Sequence, residues 1–205
     1  ADIGFKIKIN VKKYSIRPYQ ESDYELWNTF VSAAKNATFL FHRDFMEYHK
    51  ERFEDFSLLV FDKVKLVAVL PANRVDNKVY SHQGLTYGGL VYASKLKIEK
   101  IEVILDLLFD FFKSKRIEHF YLHPIPSFYL GQGNAAIDFF LMKKGAQLYR
   151  KEMNMVAHLH QEVPISKSKL KHFRRTEVLG LRVVEETNFQ PFWEKILEPR
   201  LAEKY

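Results

Sequence analysis

The chain of 205 residues contains no cysteine. Disulfides, thiolate metal sites and a cysteine nucleophile are thereby excluded. The lack of cysteine fits a reducing compartment, and the cytoplasm is the expected location. No uninterrupted apolar run reaches the ~20 residues that a membrane span needs. The first residues, Ala1-Asp2-Ile3-Gly4, lack the basic and apolar regions of a signal peptide. No Gly-x-Ser-x-Gly elbow and no His-Glu-x-x-His motif occurs. His158 and His160 would share one strand face, as would His119 and His123. Neither pair has an acidic or cysteine partner at a recognised metal spacing, so no metal site is expected.

Glycine is also scarce, with eight residues, and three of them gather in Ser81-His82-Gln83-Gly84-Leu85-Thr86-Tyr87-Gly88-Gly89-Leu90-Val91-Tyr92. Glycine weakens a strand, so this cluster signals a bulge or a close backbone approach. His82, Gln83, Thr86 and Tyr87 stand among the glycines and can hydrogen-bond a substrate. An ordinary glycine-rich turn between strands is the other reading of the same residues. Hydrophobic residues make up 47% of the chain, with 18 Phe and 11 Tyr, so an aromatic-rich core or cleft is expected. The formal charge of +7 suits a solvated basic surface or a phosphate-bearing partner.

Read in order, Lys6 to Tyr19 alternates as a first strand. Ser22 with Glu25 makes a capping box for a helix with the stripe Leu26, Trp27, Phe30 and Val31. Asn36 to Thr38 breaks it, and a second helix runs from about His42 to Phe53. Short strands follow at Ser57–Phe61, Lys65–Asn73 and Val79–Ser81, with turns at Asp62-Lys63 and Asp76-Asn77-Lys78. A fourth strand is expected at Gly88–Tyr92. Lys97 to Lys115 steps by three and four through Ile98, Ile101, Leu105, Leu108 and Phe112, a clear amphipathic helix. Ile117 to Leu122 reads as a fifth strand, and the helix before it implies a crossover and a parallel pair. Helices are expected at about Ala135–Lys144, from Ser166 or Ser168 to Gly180, and after Asn188. Ala146–His160 and Leu181–Glu185 read as strands.

The last stretch echoes the first. Superposing Trp193 on Trp27 brings Asn188 to Ser22 and Ile196-Leu197 to Phe30-Val31. A true repeat would make the order a first domain over 1–165, a linker helix over 166–180, and the start of a second domain over 181–205. Similar amphipathic helices without common ancestry would look the same.

The order strand, two helices, three strands, helix, strand, helix, strand resembles the acyltransferase fold of the Gcn5-related N-acetyltransferase (GNAT) superfamily. Thr38-Phe39, Tyr80-Ser81 and Tyr87-Gly88-Gly89 resemble the first domain of the FemAB-like aminoacyl- and acyltransferases, which carry tandem copies. The resemblance implies an α/β fold with a mixed central sheet flanked by helices. It implies acyl or aminoacyl transfer to an amine of a sugar, a peptide or a cell-wall precursor. The donor would be an acyl-CoA such as acetyl-CoA, or an aminoacyl-tRNA, held mainly outside this domain. It implies a cleft with Tyr87, Gly88 and Gly89 on one wall and Tyr121 and His123 on the other. The expected catalytic groups are then Tyr87, through its hydroxyl, and His123, whose imidazole titrates near neutrality. His82, Gln83, Gly88, Gly89 and Tyr121 are the expected substrate contacts. Coenzyme-binding members carry a glycine-rich pyrophosphate loop after the fourth strand. Here Ala93-Ser94-Lys95-Leu96-Lys97 has no glycine. A non-catalytic binding module on the same fold is the competing expectation.

Lys167, Lys169, Lys171, His172, Arg174 and Arg175 form the densest basic run. Lys167, Lys171, Arg174 and Arg175 share a helix face that could meet tRNA phosphates or simply face solvent. The pattern calls for no DNA and leaves the oligomeric state open.

Overall fold

The computed structural model describes residues 14–130, 136–158 and 160–204. The chain divides into two compact units, Ala1–Tyr149 and Arg150–Tyr205.

The first unit is mixed α/β, with helices packed on its sheets. Its elements in order are β1 (Tyr14–Pro18), α1 (Tyr24–Ala33), α2 (Arg43–Met46), β2 (Glu54–Asp55), β3 (Leu58–Asp62), β4 (Lys65–Leu70), β5 (Asn73–Val75), β6 (Lys78–Tyr80), β7 (Val91–Tyr92), α3 (Ile98–Ser114), β8 (His119–Tyr121) and α4 (Ala136–Lys143). The strands form two four-stranded sheets, ordered β1-β3-β4-β7 and β2-β5-β6-β8. Pro71 lies at the break between β4 and β5, so the run Lys65–Asn73 is two strands in two sheets rather than one. Proline cannot donate to a ladder, which is why the pairing changes there.

Both faces of the first sheet are covered. Leu58, Val60, Ala68 and Leu70 pack with Ile101, Ile104, Leu105, Leu108 and Phe112 of α3. Leu59, Val69 and Val91 pack on the other side with Trp27, Val31, Phe41 and Met46. The period-two alternation of side chains sends neighbours to opposite cores. Val60 pairs with Ala68 and Phe61 with Leu66, so Val67 is an extra, bulged residue. Each fully buried Leu, Ile or Phe adds about 1.5–3 kcal/mol, and α3 alone supplies five such anchors at the expected spacing.

Several local expectations are corrected. The start of α1 is set by Gln20 and Asp23, not by Ser22 and Glu25. The Gln20 backbone N–H donates to Asp23 Oδ2 at 3.0 Å, and a 3₁₀ turn over Glu21–Asp23 leads into the helix. Asp23 is then held by Arg17 through two bonds of 2.5 and 2.6 Å, a fork the sequence spacing does not announce. The helix expected from His42 to Phe53 is only α2 and a 3₁₀ turn at Glu47–His49. The fourth strand is just Val91–Tyr92. A parallel pair does exist, but β8 pairs with β6, Tyr80 opposite Tyr121, while β7 runs antiparallel to β4.

In the second unit α5 (Lys167–Val178) is capped by Ser166, whose Oγ accepts from the Lys169 N–H. A helical run follows, α6 (Gln190–Phe192), a π turn over Trp193–Leu197 and α7 (Glu198–Lys204). Asn188 Oδ1 accepts from the Gln190 N–H at 3.2 Å. Among the described residues neither Ala146–His160 nor Leu181–Glu185 forms a strand. Alternation fits a strand only where a partner supplies the ladder, and the described residues there have none. Residues 6–13 of the expected first strand, and the glycine pair at 131 and 133, lie outside the described residues.

Candidate functional site

The segment between β6 and β7 is tied to the end of β8 by its backbone. The Ser81 N–H donates to the Tyr121 carbonyl at 3.0 Å, and the Gly88 N–H donates to the His123 carbonyl at 2.7 Å. Ser81 Oγ accepts from the His123 N–H at 3.1 Å. Gly88 has no room for a side chain, because a Cβ there would sit 1.3 Å from the Ser81 carbonyl oxygen. The close approach that glycine permits is therefore made by the chain's own backbone. Gly88 forms an isolated parallel bridge with Pro124. Beyond it β7 turns to its partner β4, while the other segment enters a 3₁₀ turn at Ser127–Tyr129.

Where the two segments part, a recess of about 30 Å³ opens, room for one or two water molecules. Gly88, Gly89 and Leu90 form one side, and Leu122, Pro124, Ile125 and Leu130 the other. Asn36, Ile137 and Asp138 complete the lining. Gly89 has φ +104°, and an added Cβ would touch Leu122 at 3.7 Å, so the floor is closed by contact rather than by a side chain of its own.

Asn36 shapes the β7 side. Its Nδ2 donates to the Leu90 carbonyl at 2.8 Å and its Oδ1 accepts from the Tyr92 N–H at 3.0 Å. One buried amide thus substitutes for a neighbouring strand. Asp138, on the first turn of α4, is the one titratable residue among the described lining. Burial of its carboxyl pushes its pKa above the ordinary carboxylate value. More than a third of the residue is nevertheless exposed, so the carboxyl sits at the lip of the recess.

No family model matches the chain, and no curated protein matches it. Several solved structures are similar. The ribosomal-protein-S18-alanine N-acetyltransferase from Escherichia coli shares 14% identity over 64% of this chain and 76% of its own, with a TM-score of 0.48. A transcriptional regulator from Bacillus halodurans shares 12% over 70% and 99%, with a TM-score of 0.41. The PaiA N-acetyltransferase from Thermoplasma acidophilum, solved with coenzyme A, shares 15% over 63% and 87%, with a TM-score of 0.40. At such identities no residue correspondence carries over.

The residues singled out from sequence are distributed as follows. Gly88 and Gly89 line the recess. Tyr87 is buried beside it in the chain, its hydroxyl donating to Thr38 Oγ1 at 3.0 Å. Its ring meets Phe41 and Tyr129 at 5.9 and 5.3 Å. His82 is buried, its Nδ1 accepting from the Gly84 N–H at 3.1 Å. Gln83 is paired to Asn73 by two bonds of 2.8 Å. Both side chains therefore brace the loop. Tyr121 stacks on Tyr80 with ring centroids 4.9 Å apart. His123 contributes its backbone to the Ser81 and Gly88 ties, and the residue is exposed. Tyr87, His82, Gln83, Tyr121 and His123 are not on the recess lining. Arg174 and Arg175 are exposed on α5 of the second unit. Among the described residues no three His, Cys, Asp or Glu gather as a metal site.

The sequence reading missed Asn36 and Asp138. Asn36 looked like a helix breaker, and its partners lie 54 and 56 residues away. Asp138 carried one usable signal, an acid in the first turn of an otherwise apolar helix, which the helix dipole alone explains.

A coenzyme pyrophosphate held by the loop after β7 would need free backbone N–H groups there. The Ala93 N–H already donates to Val67, the Leu96 N–H to Ala93 and the Lys100 N–H to Lys97. Ser94 Oγ donates to the Ala33 carbonyl. Three backbone N–H groups and one hydroxyl of the stretch 93–100 are thus engaged within the chain, which removes them from any phosphate cradle there.

Proposed function

We propose that the unit Ala1–Tyr149 is the acceptor side of an N-acyltransferase, moving an acyl or aminoacyl group to an amine. A FemAB-like transferase with two tandem domains is the specific form, its linker helix over 166–180 and second domain from 181. The acceptor is an amine of a sugar, a peptide or a cell-wall precursor. The observation that carries the reading is the parting of the chain beyond the Gly88–Pro124 bridge, which opens a recess between two backbone segments with an acid at its lip.

Amine attack on an activated carbonyl needs no covalent intermediate on the protein. What it needs is alignment, exclusion of water and a place for a proton. The apolar walls at Leu90, Leu122 and Ile125 leave little room for water once an acceptor is seated. The Ser81, Gly88 and His123 ties hold the two walls at fixed spacing. Tyr87, braced by Thr38, and His123 at the exposed end are the polar groups assigned to orient the part of the acceptor outside the recess, which neither of them lines, and His82, Gln83 and Tyr121 are assigned to support them. The donor, an acyl-CoA or an aminoacyl-tRNA, is held mainly by other parts of the protein. Arg174 and Arg175 are the contacts assigned to a tRNA donor, whose binding then weakens steeply with salt.

The test is incubation of the whole chain with acetyl-CoA or an aminoacyl ester and a panel of amines, with products read by mass spectrometry. Protein-dependent acylation that falls on Tyr87→Phe supports the reading. Saturable ligand binding with no acylation from any donor overturns it in favour of a non-catalytic module. The glycine-free loop Ala93-Ser94-Lys95-Leu96-Lys97 favours that second reading for this chain in isolation.

A further inference from the structure

We infer that Asp138 is the anchor for the acceptor's ammonium group and takes its proton before attack. The inference deepens the acyltransfer reading and rests on it for its chemistry.

Three observations meet at this residue. Its carboxyl is the one ionisable group on the described recess lining, whose remaining members are apolar or glycine apart from Asn36. The Asn36 amide is already committed to Leu90 and Tyr92. A charged ligand group entering the recess therefore has one charged side chain to meet. Asp138 itself makes no hydrogen bond or ion pair among the described residues. By contrast, the other charges of the α3–α4 contact are used. Lys143 pairs with Glu102 at 2.9 Å and Lys144 with Asp106 at 2.5 Å. They satisfy one another, and Asp138 shares in neither pair.

A partly desolvated carboxylate that no other described residue pairs favours a cation that brings its own hydrogens. A primary ammonium has three donors and the right charge, and it fits a recess of about 30 Å³. Burial also holds the carboxyl's affinity for protons above its ordinary value, which suits a group that must accept one. The balance is simple. Asp138 takes one proton from the ammonium and later releases it to water. The freed lone pair forms the N–C bond as the donor's C–S or C–O bond breaks. A second proton from nitrogen leaves with the departing thiolate or alkoxide.

The experiment uses the full chain, with carboxyl carbons followed by NMR, and ethylammonium as the probe without any donor. Saturable shifts at the Asp138 carboxyl and at the Gly89 and Leu90 amides are expected. The Asp138 titration midpoint falls when the probe is bound, because a cation favours the charged form. Asp138→Asn weakens binding at least tenfold, whereas Asp106→Asn leaves it unchanged. Equal affinity in Asp138→Asn, or a midpoint that does not move, overturns the inference. Donor-dependent acylation is measured in parallel. Acylation that survives Asp138→Asn removes this role and leaves the transferase. Ammonium binding that needs Asp138, without acylation from any donor, keeps the anchor and removes the transferase.

Discussion

Replacing Asn36 by alanine tests whether one side chain holds the β7 wall. The amide is 3% exposed, and its two partners, Leu90 and Tyr92, are each 1% exposed. Truncation leaves a carbonyl and an N–H buried without partners, at about 1–3 kcal/mol each. Relief of the Asn side chain's own desolvation and ordering offsets part, and water entering from the recess offsets more. A net loss of about 3 kcal/mol is expected, which lowers the midpoint of thermal unfolding by roughly 6–12 °C for a unit of this size. Urea unfolding gives the energy, and hydrogen exchange at the Tyr92 amide locates it. Asn36→Asp is the sharper probe. The introduced carboxylate still accepts from Tyr92 but sets a negative oxygen against the Leu90 carbonyl. Its pKa in the folded state is then raised, so stability is present at low pH and lost as pH rises through that value. Acidification therefore rescues Asn36→Asp and not Asn36→Ala. A loss under about 1 kcal/mol for Asn36→Ala, or no rescue of Asn36→Asp by acid, refutes the clamp.

Gly88→Ala is expected to prevent stable folding, since its Cβ meets the Ser81 carbonyl at 1.3 Å, whereas Gly89→Ala meets only ordinary contact at 3.7 Å and costs about 1–3 kcal/mol in backbone strain; circular dichroism melts rank the two, and equal losses refute the assignment. Arg43→Met should cost about 1.5–3 kcal/mol through loss of the charged hydrogen bond to Asp55 at 2.5 Å and of the guanidinium lying 3.7 Å from the Tyr19 ring centroid, since Asp55 and Glu47 are exposed enough to rehydrate; a loss under about 1 kcal/mol in urea counts against it. Arg17 hydrogen bonds hold the Asp23 carboxyl below its usual range, so its stabilisation is present above the unfolded value and lost as pH falls through the folded one. Asp23→Asn is then destabilising at pH 7, and the gap closes on acidification. Asp138 has the opposite sign, because burial raises it. Asp138→Asn should be more stable than the parent at pH 7, with the difference vanishing below the ordinary carboxylate range.

Elements fixed by local chemistry were legible. The three-and-four spacing of α3 buries Ile101, Leu105, Leu108 and Phe112 as read, while Ile98 at its mouth stays 57% exposed. The turns at Asp62-Lys63 and Asp76-Asn77 were marked by residue type, and Lys63 and Asp76 adopt positive φ there. Failures came where meaning depends on distant chain. Alternation over residues 146–160 has the strand period without a ladder to join. Ser22 and Glu25 fit a capping box, but Arg17 fixes Asp23 and so sets the turn two residues earlier, at Gln20. The glycine at 88 announces a close approach without saying whose backbone arrives. Asn36 and Asp138 carry no local pattern, since their roles come from what folding brings beside them.

The seating of Gly88 on Ser81 divides the recess by evolvability. One wall is written in main chain, and most changes of residue at 88 would be lost at the folding step before any ligand was sampled. The facing wall, with Leu122, Ile125, Leu130 and Asp138, is written in side chains that can be exchanged. A library spread over the whole lining would thus return variants that keep the glycine and differ across from it. Any drift in ligand preference among descendants of this chain would be recorded on that one side.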